Sequence, residues 1–322
     1  MDKIFDVVAL GELLIDFTQN GVSDQGNPLF EACPGGAPCN VLAMLKKLGK
    51  SCAFIGKVGD DIFGRSLRDT VASIGIHTGS LLTDRSVNTT LAFVQTFENG
   101  DRDFSFYRNP GADMMLTPDE IPVDLLRQAE IFHFGTLSMT HDTVREATKK
   151  AVATAKENGA LISFDPNLRP PLWSSLDAAR EQIEWGLSQC DILKIADNEI
   201  EFLSGSADFD EGAAYLKKNF PNIRLMNITA GPDGSYSYYA DQRVYVPGFR
   251  LGGTIETTGA GDTFCACILA CVLERGLDGL TENDLRRFLR FSNAAAYLVT
   301  TKKGAIRSMP ERSRIEAILA EN

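Results

Sequence analysis

Histidine is scarce in this sequence, which disfavours enzyme classes whose catalysis depends on histidine. The 322 residues include three histidines. His133 stands in an apolar run typical of a strand, so we interpret it as a hydrogen-bonded strand residue rather than a base; His77 and His141 fall in predicted loops. A Ser/His/Asp hydrolase and a zinc hydrolase are therefore disfavoured.

The sequence also lacks an excess of basic residues. Its 32 lysines and arginines stand against 43 acidic residues, which gives a formal net charge of −11. Nucleic acids and anionic membrane surfaces are bound through clustered positive charge. The chain reaches the short apolar run 7–10 almost at once, and no later run approaches the roughly 20 residues of a membrane span. We therefore expect a cytoplasmic protein without a nucleic-acid or membrane partner.

No cysteine framework is present. The seven cysteines are an odd number without regular spacing, which is typical of free thiols in a reducing compartment. Cys265, Cys267 and Cys271 lie on a predicted helix, where positions i and i+2 point apart, and no histidine is near them. We interpret these three as core residues rather than as a metal site.

Two common nucleotide motifs are missing as well. The Walker A pattern does not occur, and the dinucleotide fingerprint Gly-x-Gly-x-x-Gly is only approached at 259–264. There Phe264 stands where a small residue must allow close packing of helix on strand, and the segment lies late in the chain. An NAD-dependent dehydrogenase is therefore a poor hypothesis.

Short apolar runs alternate with helical patterns along the chain. This alternation predicts an α/β fold, with a mostly parallel central sheet covered by helices on both faces, in a single domain over residues 1–322. The predicted strands are 4–11, 51–58, 130–135, 161–165, 191–195 and 223–228. The predicted helices are 37–49, 63–74, 141–158, 175–189, 209–219, 261–275 and 282–301.

Two segments, 12–33 and 87–110, break this alternation. Residues 89–97 and 102–107 alternate like half-exposed strands around a hairpin turn signal at 98–101, Glu-Asn-Gly-Asp. We expect these segments to form a small β lid beside candidate ligand-binding residues. The alternative is a hairpin without a functional role.

The segment 257–262, Thr-Thr-Gly-Ala-Gly-Asp, precedes a small-residue helical run. A helix that opens at a glycine turn would leave the amides of Gly259, Ala260, Gly261 and Asp262 unpaired at its positive end, where a transferring phosphoryl group is stabilised. The Asp262 carboxylate has two open interpretations: a catalytic group or a helix cap.

A second glycine-rich turn, Gly35-Gly36, precedes the helical pattern that contains Asn40. Adjacent glycines let a ligand approach the backbone closely, and the asparagine amide offers a donor and an acceptor to hydroxyl groups. This combination indicates a site for a polyol.

Together, the early Gly-Gly…Asn and the late Thr-Thr-Gly-Ala-Gly-Asp resemble the two signatures of the PfkB, or ribokinase-like, family of sugar kinases. The resemblance covers essentially the whole chain. It implies that Asp16 binds the sugar and that Asn198 and Glu201 organise Mg²⁺, through water, and the phosphates. It further implies that Thr229, Gly231 and Gly234 form the nucleotide turn and that Asn293 lines the adenine pocket.

Within the family, the segments 164–170 and 106–113 are most similar to bacterial fructokinases. The resemblance therefore implies an ATP-dependent kinase that phosphorylates a primary hydroxyl of a ketose, fructose above all. A 2-keto-3-deoxygluconate kinase, another sugar or nucleoside kinase of the family and a non-catalytic sugar or nucleotide sensor remain alternatives.

The resemblance also assigns roles around the reaction. Asp16, Gly35, Gly36 and Asn40 hold sugar hydroxyls, with further contacts to sugar or phosphate from Arg108, Asn167 and Arg169. Asp262 accepts the hydroxyl proton, while the 259–262 amides and Mg²⁺ stabilise the phosphoryl oxygens. In the family the β lid covers the sugar and is often a dimer surface, so a homodimer is expected.

The family also often binds a monovalent cation near this turn, where this chain has Glu256 in place of the usual Asp. Salt-bridging is the alternative role for Glu256. By position, a K⁺ site would use carbonyls or side chains of Glu256, Thr258, Val299, Lys302, Gly304 and Ser308.

Overall fold

The computed structural model describes residues 3–96 and 102–321, and within them the strands form two sheets. The predicted hairpin turn at 98–101 lies outside the described residues. In the larger sheet the strand order is β13-β12-β11-β10-β9-β8-β1-β4-β5, and the pairs from β11 to β5 are parallel. Its strands are β1 (Phe5–Leu10), β4 (Cys52–Gly59), β5 (His77–Asp84), β8 (Ala129–Gly135), β9 (Leu161–Asp165), β10 (Ile192–Ala196), β11 (Leu225–Thr229), β12 (Ser235–Tyr239) and β13 (Gln242–Val246).

The six predicted strands are confirmed, with ends that shift by two residues or fewer. Strands β5, β12 and β13 were not predicted, and the placement of His77 in a loop is wrong because it begins β5. These strands lie at the two ends of the sheet. Their polar and tyrosine-rich sequences lack the continuous apolar runs of strands that are covered on both faces.

Helices lie between these strands, and every predicted helix is confirmed. The structure adds three helices that were not predicted, α3, α6 and α10. The helices are α1 (Ala37–Lys47), α2 (Ile62–Ser73), α3 (Val123–Arg127), α4 (Asp142–Glu157), α5 (Leu176–Gln189), α6 (Asp197–Ser204), α7 (Phe209–Asn219), α8 (Ala260–Arg275), α9 (Glu282–Thr300) and α10 (Arg312–Glu321). In the described ranges, no helix combines the length and the apolar character that a membrane crossing requires.

Two hydrophobic clusters pack against the larger sheet, one on each face. Alternate residues of β1 divide between them, Val7 and Ala9 with one cluster and Val8 and Leu10 with the other. Helices α1, α2, α8 and α9 contribute to the first cluster, and α4, α5, α6 and α7 to the second. The predicted three-layer arrangement is therefore confirmed. Cys265 and Cys267 are buried within the first cluster.

A smaller sheet is built from the two segments that break the alternation. Its strands are β2 (Leu14–Val22), β3 (Pro28–Gly35), β6 (Leu91–Thr96) and β7 (Arg102–Tyr107), in the order β3-β2-β6-β7. Aromatic rings associate on it: the Phe17 and Phe93 rings stack with centroids 4.8 Å apart, and Phe30 and Tyr107 meet Phe93 edge-on. This sheet stands beside the carboxyl ends of the parallel strands and helps to enclose the cavity described next.

Candidate active site

A cavity of about 440 Å³ lies between the smaller sheet and the carboxyl ends of the parallel strands. Clefts at this edge of an open α/β sheet are the usual ligand sites of such folds. Its walls combine apolar side chains with a group of charged ones. The lining residues are Glu12, Leu14, Asp16, Gly36, Ala37, Asn40, Val94, Phe106, Leu137, Asn167, Arg169, Lys194, Thr257, Thr258, Gly259, Gly261 and Asp262.

Helix α8 begins at this cavity because of a glycine turn. Gly259 is the N-cap, with a left-handed backbone at φ 79°, and no side chain caps the helix. A Cβ at this position would lie 2.8 Å from the Cβ of Ala305. Glycine is therefore required both for the backbone conformation and for the close packing of the turn.

The first amides of α8 are only partly free. Gly261 and Asp262 have no hydrogen-bond acceptor for their N–H groups among the described residues, whereas the Ala260 amide donates to the Thr257 carbonyl over 3.2 Å. The prediction that all four amides of the turn are unpaired is therefore wrong for Ala260. Two adjacent unpaired donors at a helix N-terminus still form an anion site.

Asp262 lies in the first turn of α8 but does not cap it. Its Oδ2 accepts a hydrogen bond from Asn40 Nδ2 at 2.8 Å, and the residue is 9% exposed. Burial raises the pKa of Asp262 to about 6; the hydrogen bond from Asn40 opposes this rise, and the nearby Asp165 charge adds to it. A carboxyl with this pKa is mostly ionised at neutral pH and well matched to proton acceptance.

Asn40 joins the two glycine-rich turns. It belongs to α1, which starts at Gly36, and its amide nitrogen reaches Asp262 across 222 residues of sequence. The other amide atom, Oδ1, is buried without a hydrogen-bond partner among the described residues. Because an unsatisfied buried acceptor is costly, a ligand hydroxyl that donates to it would be favoured.

The Gly35-Gly36 turn lets two acidic residues approach the backbone. A Cβ on Gly35 would lie 2.4 Å from Asp16 Oδ2, and a Cβ on Gly36 would lie 2.3 Å from the carbonyl oxygen of Glu12. Burial raises the pKa of Asp16 to about 7, against the lowering effect of the Arg169 charge. The turn thus places an acceptor carboxyl at the cavity wall.

The loop 166–169, which follows β9, is fastened from two sides. The Thr136 hydroxyl donates to the Pro166 carbonyl at 2.5 Å, and the Leu168 amide donates to Glu199 Oε1 at 2.7 Å. Glu199 also accepts from the Ala196 amide at 2.8 Å, so this buried carboxylate ties the loop to the start of α6. The loop is therefore held rigidly beside the cavity.

Two predicted site residues lie on this loop. Asn167 has a positive φ of 46°, a conformation that asparagine tolerates better than most residues. Arg169 lines the cavity, and its guanidinium makes no ion pair with any residue that the structure describes; it donates to the Leu168 carbonyl at 3.2 Å. Its positive charge is therefore available to an anionic group.

Arg108 was expected beside the ligand, but the structure does not bring it into the cavity. Its guanidinium is buried in an ion pair with Asp113, at 2.7 Å, and it also donates to the Thr140 hydroxyl and the Leu137 carbonyl. Its Nε also donates to Asp113 Oδ2 at 2.8 Å, so all three guanidinium nitrogens are occupied. Arg108 therefore supports the wall of the site from behind.

The residues expected at the nucleotide lie away from this cavity. Asn198 and Glu201 are exposed on α6, which follows β10. Thr229 ends the neighbouring β11, and Gly231 and Gly234 lie in the turn after it. They therefore flank an open surface at the same edge of the sheet.

Asn293 has a structural role that the sequence did not indicate. Its Oδ1 accepts from the Ser235 hydroxyl at 2.8 Å, and its Nδ2 donates to the carbonyls of Val246 and Pro247. The amide thus fastens the β12–β13 hairpin to α9.

Glu256 is the central residue of the expected cation site. It is 8% exposed, and its Oε2 accepts from the Gly304 amide at 3.3 Å. Within the described part of the chain its carboxylate has no ion-pair partner, which leaves the salt-bridge alternative without support. Of the other residues assigned by position, Val299, Gly304 and Ser308 are buried and Lys302 is exposed.

Sequence reasoning missed four charged residues that belong to the site. Glu12 lines the cavity and accepts from the Ala37 amide at 2.7 Å; burial raises its pKa to about 7. Lys194 also lines it and is paired with Asp165, and Glu199 fastens the loop. Asp165 is the last residue of β9, at the carboxyl edge of the parallel sheet, and this position is a signal that could have identified it.

The buried carboxylate of Asp262 lies beside unpaired helix amides at the carboxyl ends of the parallel strands. This arrangement defines a phosphoryl-transfer enzyme of the sugar-kinase type. Comparison with known proteins agrees. The sequence model for the pfkB family of carbohydrate kinases matches residues 5–312, and the chain belongs to that family.

Several similar proteins of that family are fructokinases. Fructokinase-2 of Solanum lycopersicum is 42% identical over 97% of this chain and 95% of its own length. Among solved structures, the fructokinase from Xylella fastidiosa with bound ATP is 29% identical, covers 99% of both chains and has a TM-score of 0.89. A fructokinase from Vibrio cholerae O395, solved as a double mutant with fructose, ADP and a potassium ion, is 28% identical with a TM-score of 0.87, again over 99% of both chains.

Proposed function

We propose that this protein is an ATP-dependent fructokinase that transfers the γ-phosphoryl group to a primary hydroxyl of D-fructose. The observation that carries the proposal is the geometry of Asp262. Its buried carboxylate faces the cavity, held by Asn40, at a helix start whose Gly261 and Asp262 amides are unpaired among the described residues. The 42% identity to plant fructokinases favours fructose over other sugars.

The reaction assigns one role to each side of the cavity. Asp16, the Gly35-Gly36 backbone and Asn40 hold the sugar hydroxyls on one side. Asp262 accepts the proton of the reacting hydroxyl as its oxygen bonds to the γ-phosphorus; the bond from that phosphorus to the β–γ bridging oxygen breaks, and ADP leaves with the electron pair. Positioning and electrostatic stabilisation by the Gly261 and Asp262 amides account for most of the catalysis.

On the nucleotide side, we assign the phosphates and Mg²⁺ to the surface beside α6 and the turn 229–234. Mg²⁺ is usually held by one or two carboxylates together with substrate phosphates and water. Glu201, exposed at this surface, fits that pattern, with Asn198 beside it. When bound, the ion would neutralise charge on the triphosphate.

A monovalent cation, K⁺, is proposed at Glu256. A buried carboxylate without an ion-pair partner among the described residues is costly, and a bound cation would offset that cost. The carbonyls of Val299 and Gly304 and the groups of Thr258 and Ser308 are the proposed further ligands. Lys302 would contribute through its backbone, since its side chain is exposed.

A second substrate, 2-keto-3-deoxygluconate, is favoured by one specific observation. The Arg169 guanidinium faces the cavity without an ion-pair partner in the described ranges, and a substrate carboxylate could bind it in bidentate fashion. Arg108 cannot take this role, because its guanidinium is already engaged.

We also propose a homodimer formed through the smaller sheet. This sheet leaves large apolar residues at the surface: Val22 is 62% exposed, Phe30 40% and Tyr107 66%.

The seven cysteines are unpaired, which supports a reducing compartment such as the cytoplasm.

The substrate proposal is tested with a coupled assay of ADP production in the presence of MgATP and a panel of sugars. We expect D-fructose to give the highest kcat/KM, ahead of 2-keto-3-deoxygluconate and ribose. A higher kcat/KM for 2-keto-3-deoxygluconate would reassign the substrate to the acid. Sugar binding in calorimetry without any ADP production would instead indicate a non-catalytic sensor and would contradict the proposal.

A further inference from the structure

Lys194 is a charged residue of the cavity that no step of the reaction above uses. It lies in the middle of β10, its side chain is 7% exposed, and it lines the same cavity as Asp262. Its Nζ lies 3.0 Å from the position that a Cβ on Gly261 would take. The ammonium group therefore lies against the first turn of α8, beside the two unpaired amides.

The hydrogen bonding of Lys194 is incomplete. Nζ lies 3.2 and 3.1 Å from the two carboxylate oxygens of Asp165. An ammonium group has three N–H donors, and the structure gives Nζ no acceptor other than this carboxylate among the residues it describes. Donor capacity therefore remains on the side of the cavity.

Lys194 keeps its positive charge despite its burial. Burial alone disfavours the charged form, but the adjacent Asp165 carboxylate and the more distant Glu199 raise the pKa of Lys194 above its ordinary value. Because it is an ammonium ion in a water-poor site, its field on a neighbouring anion is stronger than it would be in water.

Acidic side chains outnumber basic ones in the cavity that would receive the phosphoryl group. Three carboxyl groups line it, those of Glu12, Asp16 and Asp262, against two cations, Lys194 and Arg169. Of these two cations, Lys194 is the one placed against the turn of Gly261.

We propose, resting on the kinase function above, that Lys194 is a catalytic residue whose Nζ donates a hydrogen bond to the γ-phosphoryl oxygens during transfer, with Asp165 orienting it. The competing explanation is that Lys194 only compensates the charge of Asp165. A purely structural pair predicts a loss of stability on mutation but no specific effect on the γ-phosphate.

The first experiment compares Lys194→Met with Lys57→Met. Lys57 is a matched control because it is also a buried lysine on a central strand, paired with Glu120 at 2.7 Å, but it does not line the cavity. By analogy with the removal of one oxyanion donor, we expect kcat of Lys194→Met to fall by about 10² to 10³. The Lys57→Met variant should lose stability and keep its kcat.

Nucleotide binding gives a readout that does not depend on turnover. Loss of a charge-assisted hydrogen bond should weaken binding of the ATP analogue AMP-PNP by roughly 10- to 100-fold in Lys194→Met, as measured by calorimetry. Binding of ADP, which lacks the γ-phosphate, should change much less. If the wild type phosphorylates none of the sugars, the fructokinase proposal fails, while this AMP-PNP result still supports or overturns the phosphate contact.

The double variant Lys194→Met/Asp165→Asn separates catalysis from charge compensation, because it removes both charges of the pair. We expect it to regain the stability lost in Lys194→Met but to remain slow and to bind AMP-PNP weakly. Recovery of kcat to near the wild-type value in the double variant would overturn the proposal. So would an equal loss of AMP-PNP and ADP affinity in Lys194→Met.

Discussion

Helices α1 and α8, which start at the cavity, begin differently from four helices elsewhere in the molecule. Helices α2, α5, α7 and α9 are each capped by a side chain that accepts from first-turn amides: Asp61, Ser175, Asp208 and Thr281. By contrast, α1 and α8 start at glycines with positive φ and have no side-chain cap. At these two helices beside the cavity, glycine therefore stands at the N-cap where the other four have a capping side chain.

The carboxylates at these helix starts differ in the same way. Burial of Asp61 would raise its pKa, but hydrogen bonds from Thr89 and Gly64 outweigh this and lower it below its ordinary value. Asp262 receives its bond from Asn40 instead of from helix amides, and burial raises its pKa to about 6. An aspartate at one kind of helix start is thus a stable cap, and at the other kind it is poised to accept a proton.

Among the tests of this comparison, and apart from the replacement of Asp262, the largest loss of activity is expected from a side chain added at Gly259, in the turn before α8. The Gly259→Ala variant must adopt a left-handed backbone, which costs about 1–2 kcal/mol, and its Cβ would lie 2.8 Å from the Cβ of Ala305. A displacement of the amides on the order of 1 Å is expected to lower kcat by about 10²-fold. Steady-state kinetics check this; an unchanged kcat would show that the turn does not stabilise the reacting group.

The next test removes the hydrogen bond from Asn40 to Asp262, which joins α1 to α8. Asn40→Leu removes the hydrogen bond that lowers the pKa of Asp262, so this pKa should rise further above about 6. Loss of a hydrogen bond to a charged group should reduce kcat/KM below neutral pH by roughly tenfold or more. The acid limb of the pH profile should also move to higher pH. A profile with an unchanged acid limb would mean that Asn40 does not tune the base.

Stability should depend on pH with opposite signs for two carboxyl groups that line the cavity and for the carboxylate that caps α2. The pKa values of Asp16 and Glu12 are raised to about 7 from 3.8 and 4.5, so the folded state holds their protons more tightly than the unfolded state. Their contribution to stability is full at acid pH and is lost as pH rises to about 7. The lowered pKa of Asp61 has the opposite effect, because its contribution is lost as pH falls.

Two variants distinguish these opposite effects of pH on stability. We expect Asp16→Asn to flatten the loss of thermal stability between acid and neutral pH, and Asp61→Asn to reduce stability chiefly at neutral pH. Melting temperatures across a pH series measure both effects. The same pH dependence in the two variants would refute the distinction between the cavity carboxyl and the cap of α2.

The smallest expected effect belongs to a capped helix whose first turn does not line the cavity. Ser175 accepts from the Ala178 amide at 3.1 Å, so Ser175→Ala should cost about 1 kcal/mol of unfolding free energy. Its kcat should equal that of the wild type. Denaturant unfolding and kinetics on one preparation check this, and a fall in kcat would show that caps in general affect the reaction.

Local patterns in the sequence were sufficient to predict much of this fold and part of the site. The six predicted strands are apolar runs with turn residues between them, and the α8 start is encoded within residues 257–262. For the same reason β12 and β13 were missed: β12 alternates Ser and Tyr, and the apolar part of β13, which reads Gln-Arg-Val-Tyr-Val, is only three residues long.

Contacts between distant segments were beyond such reasoning. Two examples depend on how the strands and the smaller sheet assemble. One is the hydrogen bond from Asn40 to Asp262. The other is the binding of the Arg108 guanidinium by Asp113 and the Leu137 carbonyl. Lys194 was overlooked because a lysine within an apolar strand gives no local sign that it faces a cavity.

The most direct test of the central claim is the Asp262→Asn variant, which keeps the size of the side chain and a hydrogen-bonding partner for Asn40. Removing a general base is expected to lower kcat by about 10² to 10⁴, while the melting temperature and fructose binding stay close to wild type. A helix-capping role predicts the reverse, a modest loss of stability with kcat intact, since asparagine also caps well. With both quantities measured on one preparation, near-normal turnover would contradict the assignment of Asp262 as the proton acceptor.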